Sequence, residues 1–288
     1  MRISNQYLDG ERPLYASREI EIVDVTIGEG ESGLKESKGV KATDCRFEGM
    51  YVLWECEDVT CNNCLFAVTD RAPLWYGRNI RLTDCRINAP KALRELTDLC
   101  LERVRIKNAA ETFWFCREGQ LTDIRMENAE YAFFHASDLR ISQVWLKGKY
   151  TFQYAQGIEI HNAVLDTKDA FWESRDCTIY DSEIHSEYLG WYAKNLRLVR
   201  CHISGTQPLC YCENLILEDC TFAPDADLAF EYSSVQATIL SAITSIKNPL
   251  SGTINCADCQ EIIRDSFAAL HRTKGDTPTL TINGQHFD

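Results

Sequence analysis

The chain repeats one short pattern of alternating apolar and polar residues about every twenty residues. Residues 20–27, 40–47 and 80–87 each carry apolar residues at their first and third places and an Asp at the fifth. The pattern recurs in steps of 19 to 21 residues as far as residues 215–222. A repeat of this length is typical of a solenoid, in which each unit buries its apolar face only by stacking on its neighbours.

Each repeat has the alternation of a β-strand with one buried face. Glu21, Lys41 and Arg81 lie between the two apolar places, where a pleated strand turns outward. The Asp that follows, as at Asp24 and Asp44, interrupts the alternation. Since such a side chain can bond nearby backbone amides, this position predicts a bend between two short strands.

A second apolar stretch completes each repeat, as in residues 53–56 and 113–116. Short strands separated by bends, without a helical period, predict an all-β protein. The expected fold is a single-stranded right-handed parallel β-helix of about 12 coils. Leucine-rich repeats would place their Asn in a different register, and propeller blades would need repeats about twice as long.

The repeat favours a single β-helix domain over the whole chain. The expected parts are an N-terminal cap with a first incomplete coil over residues 1–19, regular coils over 20–234, and irregular coils with a cap over 235–288. Caps cover strand edges that would otherwise pair with other chains. Within the last part, we expect a short helix over about residues 260–270 and a final strand over residues 279–282.

The charge of the chain restricts its partners. A net charge of −13 and a pI near 5.0 argue against nucleic acid or an anionic membrane, since either needs a positive surface. No apolar stretch approaches the roughly 20 residues of a membrane span. Residues 1–10 lack the apolar core of a secretory signal. We therefore expect a cytoplasmic protein.

Fourteen cysteines raise the question of a metal site. Cys61 with Cys64, and Cys256 with Cys259, have the spacing of a zinc knuckle. The repeat frame instead places most cysteines in interior columns, of which the largest holds Cys45, Cys64, Cys85, Cys201 and Cys220. A buried free Cys acts as a small hydrophobic residue, so we expect packing and no metal or other cofactor. Reduced thiols also favour the cytoplasm.

Two neighbouring columns carry the candidate functional residues: an outward-facing one, and a column of tryptophans for which the alternation allows either an outward or an inward direction. The tryptophan column holds Trp54, Trp75, Trp114, Trp172 and Trp191. The outer column, one residue further along, reads Glu36, Glu55, Tyr76, Glu95, Phe115, His135, Tyr154, Glu173, Tyr192, Tyr211 and Glu231. Aromatic faces can meet sugar C–H surfaces while carboxylates accept bonds from hydroxyl groups, so these columns are a candidate surface for an extended carbohydrate.

Particular residues in these columns are assigned to two roles. The candidate ligand-binding residues are Trp75, Tyr76, Trp114, Trp172, Trp191 and Tyr211. The candidate catalytic residues lie on consecutive coils and are His135, Tyr154, Glu173 and Tyr192. An imidazole, a phenol and a carboxylate could serve as general acid and base in glycoside cleavage or in a lyase reaction. The alternative interpretation is structural, because stacked aromatics also stabilise a solenoid and the Glu residues keep its surface soluble.

Several segments together resemble a known family. The segments are Gly-Glu-Arg-Pro-Leu-Tyr at 10–15, its echo at 30–35, repeated Asp-Cys dipeptides, Leu-Trp and Phe-Trp pairs, and residues 245–252. They resemble an uncharacterised bacterial family of right-handed β-helix proteins, domain of unknown function 3737, over nearly the whole chain. Gly33 departs from the family pattern, which favours Pro there. The resemblance implies a pectin-lyase-like fold and transfers no catalytic residues.

Two classes of function follow. The first, slightly favoured because the columns lack a compact acid–base group, is a non-enzymatic scaffold that meets another protein or a second copy of itself. The second is a protein that binds or cleaves an oligosaccharide along the outer column, an expectation that rests on fold analogy.

Overall fold

The computed structural model describes residues 1–265 and 279–287. Over these residues the chain is a right-handed parallel β-helix of about 14 turns, made of strands and turns without a helix. Accordingly, the described residues include no helix that is long and apolar enough to cross a membrane. The chain folds as two compact units, unit 1 over residues 1–148 and unit 2 over residues 149–288.

Unit 1 contains the longer strands of the regular coils. Its strands are β1 Arg2–Leu8, β2 Arg18–Ile27, β3 Lys38–Thr43, β4 Arg46–Phe47, β5 Glu57–Asn62, β6 Leu65–Phe66, β7 Arg78–Thr83, β8 Arg86–Ile87, β9 Thr97–Ile106, β10 Arg117–Glu130 and β11 Ser137–Lys149, which ends at the boundary. Strands of successive coils pair in parallel, with Val40 between Ile20 and Val59. Equivalent residues of successive repeats are therefore direct neighbours, as the period predicts.

Unit 2 follows the same plan with shorter strands at first. Its strands are β12 Glu159–His161, β13 Val164–Lys168, β14 Thr178–Tyr180, β15 Glu183–Glu187, β16 Arg197–Val199, β17 His202–Ser204, β18 Leu215–Phe222, β19 Ser234–Lys247, β20 Ser251–Ile263, β21 Leu280–Ile282 and β22 Gln285–Phe287. Ile179 lies between Ile160 and Leu198 in the parallel ladder. The last pair, β21 with β22, is antiparallel.

The predicted bend is confirmed, and its backbone explains the choice of residue. Asp44, Asn63 and Asp84 have φ of +54°, +52° and +54°, the left-handed region that Asn and Asp enter more readily than most residues. Their side chains bond across coils rather than to nearby amides: Asn63 Nδ2 donates to Asp44 Oδ1 at 2.6 Å, and Arg103 Nε donates to Asp84 Oδ1 at 2.6 Å. The bend column thus also ties neighbouring coils together.

The repeated glycine of the first coils has a steric cause. Gly30 has a φ of +136°, and a Cβ built there would lie 2.0 Å from the carbonyl oxygen of Gly10. The backbones of two successive coils meet at this point. Any larger residue at Gly30 would push them apart.

The core lies inside the coils, and its columns are those the alternation predicts. Ile20, Val40, Val59 and Ile80 are at most 1% exposed. Phenylalanine rings stack between coils at the same place, with centroids 4.7 Å apart for Phe113 and Phe133 and 4.7 Å apart for Phe152 and Phe171. Such ring pairs add about 0.5–1.5 kcal/mol to the burial of each ring.

The cysteine columns are interior, as expected. Cys45, Cys64 and Cys85 are 2% exposed or less, and each Sγ donates to a carbonyl oxygen of the preceding coil at 3.5–3.6 Å. Burial raises the pKa of the Cys56 and Cys116 thiols to about 12. These thiols are therefore protonated and unreactive at neutral pH.

The C-terminal region differs from expectation in one respect. Residues expected to begin a helix at about 260 instead continue β20 to Ile263, because β20 pairs with β19 along its whole length up to Lys247 opposite Ile263. The rest of that expected helix lies outside the described residues. The final strand is present as β21. The count of about 14 turns is close to the expected 12.

Candidate functional site

The second apolar stretch of each coil consists of consecutive turns, and its side chains point either into the core or toward solvent. Leu53 and Glu55 both have left-handed backbones, with φ of +62° and +54°. Leu53 is fully buried, Trp54 is half-buried and Glu55 is exposed. The three residues therefore point progressively outward, and this arrangement places both the tryptophan column and the outer column at the surface.

The tryptophan column of unit 1 is a continuous stack. The Trp54 and Trp75 rings lie 5.2 Å apart and are inclined by only 7°. The next coil contributes Arg94, whose guanidinium carbon lies 4.8 Å from the Trp75 ring centroid and 4.2 Å from that of Trp114. A guanidinium between two indoles satisfies the geometry of a cation–π contact on both sides. The ring faces of Trp75 and Trp114 are thereby occupied from within the protein.

Hydrogen bonds hold this stack in place. The indole N–H of Trp114 donates to the carbonyl oxygen of Tyr131 at 2.7 Å. Arg94 Nε donates to the carbonyl oxygen of Glu111 at 3.0 Å, and its terminal nitrogen pairs with the Glu111 carboxylate. Burial acts to raise the pKa of Glu111, but pairing with Arg94 and Lys91 outweighs it and holds the pKa below its usual value. Glu111 is thus a fixed anion that anchors the cation.

The tryptophan rings of unit 2 are tilted against each other by 41° rather than stacked face to face. Trp172 and Trp191 lie 5.8 Å apart, and the edge of Tyr188 meets Trp191 at 5.1 Å. The indole N–H of Trp191 donates to the carbonyl oxygen of Gln207 at 2.8 Å. Here too the rings are packed against one another.

The outer column is exposed over most of its length. Its exposed aromatic residues are Tyr76 at 44%, Phe115 at 47%, Tyr154 at 39% and Tyr192 at 44%. These rings also pair between coils: Phe115 and His135 lie 5.1 Å apart with planes 6° apart, and Tyr192 and Tyr211 lie 4.7 Å apart with planes 15° apart. One face of Phe115 and one face of Tyr192 are therefore covered by a ring of the next coil.

The predicted catalytic residues divide between the two units. In unit 2, Tyr154, Glu173 and Tyr192 occupy successive coils, and the amide N–H of Glu173 donates to the carbonyl oxygen of Trp191 at 2.8 Å. His135 belongs to unit 1 and has φ of +53°. The assignment of a catalytic role to these four residues stays a prediction.

The far end of the outer column is less open than expected. Burial, and then the neighbouring Glu231 carboxylate, raise the pKa of Tyr211 above its usual value, so this phenol is protonated at neutral pH. Glu231 is itself only 8% exposed and pairs with Lys247 at 2.8 Å. The expectation that the column faces outward is therefore wrong at Glu231, because the Lys247 ammonium from β19 covers it.

Sequence reasoning missed a polar group on the second strands of unit 2. His185 Nδ1 and Ser204 Oγ lie 2.6 Å apart, and Asp166 is the register neighbour of His185 on the other side. Glu183 Oε2 is 3.9 Å from His185 Nε2, too far for a hydrogen bond. Ser204 is buried, and the two side chains form a part-buried hydroxyl–imidazole contact. The sequence signal for this polar group is the 19-residue spacing of positions 166, 185 and 204.

A second missed feature is a basic groove on unit 1. Arg86, Arg105 and Arg125 lie on successive coils and are register partners. Their side chains precede the buried Ile87, Ile106 and Met126, so the alternation itself marks them as outward-facing. The 20-residue period is the sequence signal of this column, since it places the three arginines at equivalent positions.

No group of three His, Cys, Asp or Glu side chains that could hold a metal ion occurs in the described part of the chain. Cys256 and Cys259 are both half-buried on β20. The Asn283 amide donates to Cys256 Sγ at 3.4 Å, and Cys259 Sγ donates to the carbonyl oxygen of Glu261 at 3.3 Å.

Comparisons with known proteins give one family. Residues 1–274 match the model of a family described as a protein of unknown function, DUF3737. A search of curated proteins found no match.

Among solved structures, the A-module of mannuronan C-5 epimerase AlgE4 from Azotobacter vinelandii is similar at 9% sequence identity and a TM-score of 0.37, over 91% of this chain and 87% of that chain. QnrB1, a plasmid-mediated fluoroquinolone resistance protein, is similar at 12% identity and a TM-score of 0.20, over 76% of this chain and 91% of that chain.

Proposed function

We propose that this chain, which belongs to the DUF3737 family of proteins of unknown function, is a non-enzymatic scaffold that binds a protein partner through its outer column. The observation that carries the proposal is the occupied state of the aromatic faces. Trp75 and Trp114 enclose Arg94, and Tyr192 stacks on Tyr211. A sugar ring stacks on a free aromatic face, and the faces named here are already covered by other side chains of the same chain.

The composition of the outer column supports a protein partner. Protein interfaces are enriched in Tyr, Trp, Phe and Arg, and this column presents exposed rings of Tyr76 and Phe115 in unit 1 and of Tyr192 in unit 2. Glu95 and Phe115 border a shallow depression together with Thr97 and Arg117. Rigid aromatic side chains on a regular backbone lose little conformational entropy on binding.

The test compares positions in and out of the outer column. A photo-crosslinking amino acid placed at Tyr192 should capture one defined protein, or a second copy of the chain, in cells of the source organism. The same group at Arg197, an exposed residue on a strand of the next coil, should capture much less. Sedimentation of Tyr192→Ser beside the unmodified chain shows whether the captured protein is a second copy.

Carbohydrate binding is the outcome that would overturn the proposal. A panel of neutral oligosaccharides, followed by thermal shift and repeated with Trp172→Ala and Glu173→Gln, should give no ligand-dependent stabilisation. A stabilisation that both variants abolish would establish the tryptophan and outer columns as a glycan site instead.

A further inference from the structure

The second strands of unit 1 bring cations together in a groove that the outer column does not include. Arg86, Arg105 and Arg125 are direct register partners, so their Cα atoms follow the spacing of parallel coils, about 4.8 Å. The groove has a volume of about 300 Å³ and is lined by Arg86, Asn88, Arg105, Ile106, Lys107, Arg125 and Glu127. Four cations thus meet one carboxylate on a chain whose net charge is −13.

Two of the arginines are held rigidly. Arg105 donates to the Asp123 carbonyl oxygen at 2.7 Å and to its carboxylate at 3.1 Å. The Arg125 guanidinium carbon lies 3.8 Å from the Trp145 ring centroid, and its Nε donates to Glu127 at 3.2 Å. Side chains fixed in this way lose little entropy when a ligand arrives.

The other two cations have no carboxylate partner. Within the residues that the structure describes, neither Arg86 nor Lys107 makes an ion pair, and both side chains are exposed. Arg86 lies directly opposite Arg105, and like charges placed in this way on neighbouring strands are destabilising. A ligand that brings negative charge between them would remove this repulsion and add charge-assisted hydrogen bonds.

We infer that this groove binds a short oligoanion whose carboxylate or phosphate groups repeat at about the spacing of the coils. A guanidinium can hold either group with two parallel hydrogen bonds. The ligand is short because the cations are few and carboxylates border them, including Asp84, Glu102 and Asp123. A long nucleic acid would extend onto this acidic surface, where repulsion opposes binding.

The inference extends beyond the proposed scaffold role and is tested separately from it. Titration calorimetry at low salt would use tripolyphosphate as the phosphate probe, a trimer of galacturonic acid as the carboxylate probe, and inorganic phosphate as the single-anion control. One of the two oligoanions should bind at least tenfold more tightly than inorganic phosphate. The probe that binds identifies the anionic group.

Matched variants locate the binding. Arg86→Gln and Lys107→Gln should each weaken binding about tenfold or more, as expected for a lost hydrogen bond to a charged group. Arg46→Gln is the control, since Arg46 occupies the same column on β4, outside the groove, and pairs with Glu48. Both test residues are exposed and make no ion pair within the described residues, so the variants should melt at a temperature no lower than that of the unmodified chain. Failure of both oligoanions to bind, or equal weakening by Arg46→Gln, would overturn the inference.

Discussion

The two units share one interior but differ on the outer face of their second strands. Before the buried residue of that strand, unit 1 places Arg86, Arg105 and Arg125, whereas unit 2 places Glu183, His202 and Thr221. Inside, both units stack phenylalanine rings 4.7 Å apart. The coil therefore determines which residues lie inside and leaves the outer positions free to vary.

The largest expected effect is a loss of unfolding free energy on truncating a core phenylalanine, and it compares the cores of the two units. Phe113→Ala in unit 1 and Phe171→Ala in unit 2 should each lower the free energy of unfolding by about 3–5 kcal/mol, because each leaves a cavity in a column of stacked rings. Urea unfolding followed by circular dichroism measures both losses. A loss below about 1 kcal/mol in only one unit would show that the two interiors are not equivalent.

Asp70 is the exception within the interior of unit 1. It is 0% exposed, neither carboxylate oxygen makes a well-formed hydrogen bond in the described residues, and burial raises its pKa well above its usual range, which the Val52 amide offsets only in part. The folded chain therefore keeps this proton to higher pH than the unfolded chain, which releases it near pH 4. Relative to a variant without the carboxyl, the folded protein loses stability as the pH rises from about 4 through the folded pKa.

Asp70→Asn makes this prediction measurable. At pH 7 the variant should be more stable than the unmodified chain by about 1–3 kcal/mol, and near pH 4 the two should be nearly equal. Urea unfolding at both pH values gives the difference. A variant that is less stable at pH 7 would mean that the carboxylate has a partner in the folded state.

The third comparison concerns the two tryptophan columns. Arg94→Met in unit 1 keeps most of the side-chain stem but removes the cation between Trp75 and Trp114, and should cost about 1–2 kcal/mol. The matched change in unit 2 is Lys194→Met, since Lys194 is an exposed cation that pairs with Glu213 at 2.7 Å rather than with a ring. That change should have little effect. Equal losses in thermal unfolding would show that Arg94 acts only as a surface charge.

The smallest expected effects are at the bends. Arg103 pairs with Asp84 and Arg200 with Asp181, and in both pairs hydrogen bonding to the arginine holds the pKa of the aspartate below its usual value. This contribution is present above about pH 4 and is lost as the pH falls through the lowered pKa. Because all four side chains are exposed, Arg103→Gln and Arg200→Gln should shift the melting temperature only slightly, and equally in the two units. Added salt should remove the small difference in melting temperature between each variant and the unmodified chain.

The fold could be predicted because the 20-residue period of the sequence gives the length of one coil, and the alternation of apolar and polar residues gives the buried face of each strand. Val40 and Val59 are buried register partners. They belong to the apolar face of their strands, and the alternation in the sequence identifies the same face. The turns around Leu53 could not be predicted in this way, because left-handed backbones at non-glycine residues leave little mark in composition. The apolar residues of this stretch predicted a strand, but the structure buries them with turns.

The site was predicted less completely than the fold. Sequence position showed that Trp75 and Trp114 belong to one column, but it could not show that Arg94 would enter between them, since this depends on a long side chain reaching along the surface. The repeat aligns Arg86, Arg105 and Arg125 at equivalent positions. A binding groove could still not be predicted from this, because only the strand register shows that the arginines are direct neighbours.

A crystal structure tests the central claim most directly, that equivalent positions of successive repeats are stacked neighbours and that this stacking occupies the aromatic faces. The account predicts electron density for the Arg94 guanidinium between the Trp75 and Trp114 rings, and for Tyr192 lying flat against Tyr211. Indole faces open to solvent, with Arg94 turned away from both rings, would contradict it.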